Sequence, residues 1–75
     1  MAAEQGDANV QALLGGMYYG GDGVPQDRVL AHMWYNLAAA QGHAIAKELR
    51  DLMAKSMTSE QIAEAQRLAR EWKPK

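Results

Sequence analysis

Two short segments of this 75-residue chain are near copies of one another. Ala2-Ala3-Glu4-Gln5-Gly6-Asp7-Ala8 aligns with Ala38-Ala39-Ala40-Gln41-Gly42-His43-Ala44, an offset of 36 residues. The same offset pairs Leu13 with Leu49 and Met17 with Met53. A period in the thirties suits a helix–turn–helix unit that stacks on its neighbours into a solenoid.

Helix signals agree with that period. Asp7 is placed to cap a helix from Ala8 to about Tyr19, with Val10, Leu13, Leu14, Met17 and Tyr18 on one apolar face. Asp27 is placed to cap a second helix ending near Gln41, where Gly42 can take the left-handed stop conformation. A third helix is expected from Ala44 to about Lys55, opened by His43, a weaker cap than Asp7. Thr58 then opens a fourth, with Gln61 completing a capping-box pattern. Ile62, Ala65, Ala69 and Trp72 recur along it at helical spacing, and Pro74 is expected to stop it. The pattern is four helices and no strand. Zero phenylalanine and abundant alanine favour close helix-on-helix packing over a sheet of β-branched residues.

Composition closes several other routes. The length allows one small domain, whose core supplies only about 3–5 kcal/mol of net stability. With no cysteine there is neither a disulfide nor a thiolate metal site. Eight basic and nine acidic residues give a net charge of −1, so no electrostatic footprint for nucleic acid exists. The opening MAAEQGDANV lacks an apolar signal-peptide core, and no run approaches the roughly 20 apolar residues that span a bilayer. No membrane role and a cytoplasmic setting are expected.

GGMYYGGDGVPQD, residues 15–27, holds five of the seven glycines and invites a phosphate-loop reading. The dinucleotide fingerprint needs a third glycine that Gly21-Asp22-Gly23-Val24-Pro25-Gln26 lacks, and a strand where this chain has a helix. No Gly-Lys-Ser/Thr follows, and Asp22 would repel a phosphate. The Asp-Gly pair is no hairpin turn either, because its flanks do not alternate and Pro25 removes a ladder donor. A repeat turn explains more. Gly15 and Gly16 cost a helix roughly 1 kcal/mol each relative to alanine, which is tolerable where a neighbouring helix must approach closely. Gly20, Gly21 and Gly23 then supply the angles of a tight inter-helix loop, and Pro25 stiffens it before Asp27.

These residues resemble a known family. Leu14-Gly15-x-x-Tyr18-x-x-Gly21-x-Gly23-Val24-x-x-Asp27, followed by Ala31, Trp34-Tyr35, Ala38-Ala39 and Gly42, is similar to one unit of the Sel-like (Sel-one) repeat, a relative of the tetratricopeptide repeat. The tail MTSEQIAEAQRLAREW is similar to the closing helix of many bacterial members. The second copy departs from the pattern: Arg50-Asp51 stands where the first has Leu14-Gly15, Lys55 replaces Tyr19, and the glycine loop and Trp-Tyr pair are missing. The expected organisation is a single domain, 1–75, with a complete repeat over 7–42. Residues 43–75 then form a degenerate second repeat closed by a capping helix. The resemblance implies an all-α fold, a short right-handed α/α solenoid of two antiparallel helix pairs. It places Trp34, Tyr35, Tyr18 and Met17 in the packing between helices rather than in a ligand-stacking cluster.

Chemistry-bearing residues are sparse. His32 and His43 are the only histidines and have no cysteine partners, so a surface or loop location is expected rather than a metal site. Glu48 and Asp51 share a helix face without any pocket to raise a carboxyl pKa. No Ser-His-Asp arrangement or cysteine nucleophile is present. Arg67, Arg70, Lys73 and Lys75 are offset by Glu64 and Glu71 at helix-pair spacings. No catalytic residue, cofactor or metal is expected. Some cysteine-rich relatives have been linked to β-lactam binding or hydrolysis, but this chain has neither cysteine nor Ser-x-x-Lys.

The resemblance implies a non-catalytic protein–protein interaction scaffold or adaptor that presents the first helix of each pair on a concave surface. On the register above that face carries Asn9, Ala12, Gly16 and Tyr19, then Ile45, Glu48 and Lys55. The alternative is a fragment that self-associates without a foreign partner. Val10, Leu13 and Met17 at the N-terminal edge are expected to be partly uncovered, which points to a homodimer through the first helix.

Overall fold

The computed structural model describes residues 6–73, so the Pro74 helix stop and most of the leading AAEQG lie outside the described residues. Four helices follow one another: α1 (Ala8–Gly20), α2 (Arg28–Ala40), α3 (Ala44–Ala54) and α4 (Ser59–Glu71). No strand occurs among the described residues.

Each helix starts on a side chain that accepts an otherwise orphaned backbone N–H. Asp7 accepts from Val10 N at 3.0 Å and Asp27 from Leu30 N at 3.0 Å. His43 performs the same task with Nδ1, accepting from Ala46 N at 3.1 Å. At α4 the capping box closes in both directions: Thr58 Oγ1 accepts from Gln61 N, and Gln61 Oε1 accepts from Thr58 N. Gly21, with φ +69°, ends α1, its N–H reaching Met17 O. Gly20, expected among the loop glycines, instead forms the last residue of α1 with an ordinary helical φ.

Helix α2 is the centre of the fold, and its packing against α1, α3 and α4 makes the most extensive helix contacts. The core cluster reflects this, joining Ala31, Tyr35 and Ala38 of α2 to Ala46 and Met53 of α3 and Met57 of the last connection. Ala8, Ala12, Tyr18 and Ile62 pack around it. Small residues let the backbones approach, as the alanine-rich composition requires. Polar ties fix the register. Asp27 N donates to Tyr18 O across α1 and α2, and Gln41 Nε2 donates to buried Gln11 Oε1 at 2.9 Å. Arg50 Nη1 of α3 donates to Asn36 Oδ1 of α2 at 2.8 Å, and Arg28 Nη1 reaches Ser56 Oγ at 3.3 Å. Arg28 at the start of α2 reaches Ser56 just past the end of α3, while Asn36, later in α2, meets Arg50, earlier in the chain than Ser56, so the two run antiparallel.

Leu13 is exposed, as expected for the uncovered N-terminal edge, and so does not join the core face of α1, which buries Gln11 and Gly15. Trp34 is half-buried, meeting Trp72 edge-on at 5.9 Å between ring centroids, while Tyr35 goes fully into the core. His32 is not a surface histidine: it is buried within α2 with Nδ1 unpartnered.

Candidate protein-binding surface

Once α2 is enclosed, the remaining apolar surface falls on the two first helices. The large exposed hydrophobic side chains among the described residues are Leu13 (63%) and Tyr19 (47%) on α1, with Ile45 (63%), Leu49 (39%) and Leu52 (62%) on α3. On α3 the three stand at i, i+4 and i+7, so they form one stripe beside the buried Ala46–Met53 row.

Between α1 and α3 a cleft of about 50 Å³ is lined by Tyr19, Tyr35, Leu49, Leu52 and Met53. Small-molecule and cofactor sites occupy roughly 300–1,000 Å³. This cleft suits one inserted side chain instead. Tyr35 and Met53 form its buried part, while Tyr19, Leu49 and Leu52 form its exposed rim. Burial pushes the Tyr35 phenol above its ordinary pKa of 10.0, and the neighbouring Tyr19 adds to this, so Tyr35 stays protonated at neutral pH.

The residues expected on the concave face divide into two groups. Asn9, Tyr19, Ile45, Glu48 and Lys55 have exposed side chains. Ala12 is half-buried against the core cluster, and Gly16 lies close to α2, where a Cβ would sit 3.4 Å from the Tyr35 hydroxyl. Leu49 and Leu52 were not expected there. The repeat offset holds the missing signal: it carries Asn9 to Ile45, Ala12 to Glu48, Gly16 to Leu52 and Tyr19 to Lys55. Leu49 pairs with Leu13, and both are exposed rather than core.

Other polar groups serve the fold. His43 is engaged as a helix cap. The His32 pKa is lowered from 6.5, first by burial and then by the Arg50 charge, against a smaller opposite effect of Asp51. Among the described residues no three His, Asp or Glu side chains converge on a metal position. Arg67, on the exposed face of α4, is paired by both Glu64 and Glu71. No helix among the described residues is long and apolar enough to cross a membrane.

Comparison with protein families matches residues 8–43 to the Sel1 repeat. Searches of curated proteins and of solved structures gave no match.

Proposed function

Because residues 8–43 place this chain in the Sel1-like repeat family, whose repeats generally mediate protein–protein interaction, we propose that it is a non-catalytic scaffold binding a short peptide or helix along α1 and α3. The observation carrying this reading is the confinement of the large exposed apolar side chains to those two helices, around a cleft of side-chain size. Tyr19 is the proposed anchor contact, since it combines apolar area with a hydroxyl. Asn9 is proposed to pair with a peptide backbone, and Glu48 and Lys55 to set orientation by charge. The surface is small, so affinity should be about micromolar or weaker. A cytoplasmic setting is the reading that the cysteine-free composition supports.

Peptides selected on the protein from a displayed random library, followed by amide chemical-shift mapping, test this. Shifts clustered at Asn9, Tyr19, Glu48, Leu49, Leu52 and Lys55 are expected, and Tyr19→Ala should weaken binding with the helical melt retained. Shifts confined to Arg28, His32 and Asn36 would overturn the reading. Self-association through α1 has one observation in its favour, the exposure of Leu13. Val10 and Met17 beside it are half-buried, so that edge offers little continuous apolar area.

A further inference from the structure

The α3 stripe has a property that the α1 surface lacks: it is complementary to itself. Ile45, Leu49 and Leu52 follow the alternating four- and three-residue spacing of a helix–helix seam. One flank of the stripe is Ala46 and Met53, both buried against the chain's own core. The other flank is Glu48 and Lys55, seven residues apart and both exposed. Lys55 stays on the helical path, with φ −64° and ψ −22°.

We propose that α3 pairs antiparallel with α3 of a second copy of this chain, through Ile45, Leu49 and Leu52 and two reciprocal Glu48–Lys55 ion pairs. The register follows from the spacing. In an antiparallel seam Leu49 of one copy meets Leu52 of the other. Glu48, one residue before Leu49, then stands beside Lys55, three residues beyond the opposing Leu52. The two-fold axis repeats the contact, giving an isologous interface with two opposite-charge contacts along the same flank. Parallel pairing would set Glu48 and Lys55 against the flank occupied by Ala46 and Met53, which offers no charge. The sequence of charges therefore selects the antiparallel arrangement.

This rests on the reading of the first-helix face as the interaction face, and it names one occupant for the α3 part of that face. The interface uses three apolar residues per copy, which places it at the weak end of specific association, about 100 μM or somewhat tighter.

Sedimentation equilibrium on the full chain without any peptide is the test, with circular dichroism melts confirming that each variant is folded. The parent should dimerise over roughly 10–1,000 μM. Glu48→Lys and Lys55→Glu each place like charges at both contacts and should weaken the dimer about tenfold. Mixed together, those two variants carry opposite charges at both contacts, so a heterodimer of parental strength should form. Leu52→Lys should be monomeric. A monomeric parent at about 1 mM, or two weakened variants that do not rescue each other, would overturn the proposal. So would a dimer that Leu13→Lys abolishes and Leu52→Lys leaves intact, which places association on α1. Peptide mapping on the parent at about 10 μM, roughly tenfold below the expected dimer dissociation constant, reads the scaffold function separately, so either idea can fail alone.

Discussion

Gly15 and Tyr35 touch so closely that a methyl group on Gly15 would lie 2.7 Å from both Cδ1 and Cε1 of the Tyr35 ring. The ring fills the place where any other residue would carry its Cβ. The helix accepts the propensity cost of glycine because the α1–α2 approach depends on it, and that approach holds Tyr35 beneath the cleft.

Gly15→Ala should therefore destabilise the domain although alanine is the better helix former. Overpacking of this kind costs about 1–3 kcal/mol, against a gain of roughly 1 kcal/mol in propensity. Tyr35 is a rigid ring in the core and cannot move aside cheaply. Gly20→Ala is the control, since it is helical and nothing lies within 4 Å of its added Cβ. That change should leave the melting temperature unchanged or raise it. Opposite signs in thermal melts are expected, and a stabilised Gly15→Ala would refute the close-approach explanation.

The Trp34–Trp72 contact predicts a measurable coupling between α2 and the end of α4. The rings meet edge-on with an interplanar angle of 71°, a favourable arrangement for two aromatic quadrupoles. A double-mutant cycle of Trp34→Ala and Trp72→Ala should show about 0.5–1.5 kcal/mol of interaction. Trp34 is half-buried, so its replacement should cost less than the about 3–5 kcal/mol of a fully buried tryptophan. Trp34→Ala should keep a cooperative melt at a lower midpoint. Additive single effects would mean that the two rings do not support each other.

Thr58→Ala removes the side-chain acceptor of Gln61 N but keeps the return bond, which the backbone N–H of residue 58 donates to Gln61 Oε1. A loss of about 1 kcal/mol is expected, equivalent to a fall of roughly 4–8 °C in a domain of this size. Thr58→Ser should recover most of it, because the hydroxyl rather than the methyl group makes the cap. A melt unchanged in Thr58→Ala would show that α4 is held by its α2 contacts alone.

These local devices were legible in the sequence because each acts within a few residues: a cap reads its own third neighbour, and a turn glycine reads its own φ. The 36-residue offset extended that legibility to the helix count. Periodicity was less informative about Leu13, Leu49 and Leu52. It says which side chains share a helix face but not whether another helix covers that face. Here the fully buried residues of α1 are Gln11 and Gly15, neither with an apolar side chain, while Ala8, Ala12 and Tyr18 pack only partly buried around the core cluster. His32 escaped for a related reason. Flanked by Ala31 and Met33, its burial follows from the packing of three helices around α2, a property of the assembled fold.

That buried histidine gives the domain a pH dependence whose sign is determined. Burial, reinforced by Arg50 and only partly opposed by Asp51, holds the folded-state pKa of His32 below its ordinary 6.5. Above that value His32 is neutral in both folded and unfolded chains and contributes no dependence. As pH falls below 6.5 the unfolded chain takes up the proton first, so stability declines until the folded pKa is reached, then levels off for this group. The unpartnered Nδ1 fits this assignment, since no acceptor stands ready to stabilise the imidazolium. Urea melts at intervals from about pH 7.5 to 5 should show the decline above the range where carboxylates with ordinary pKa values titrate. Arg50→Met should shift the His32 titration upward and flatten the slope, whereas Asp51→Asn should shift it downward and steepen the slope. The imidazole can be followed directly through its ring-proton NMR shift. A His32 titrating at or above 6.5 in the folded protein would refute the proposed sign.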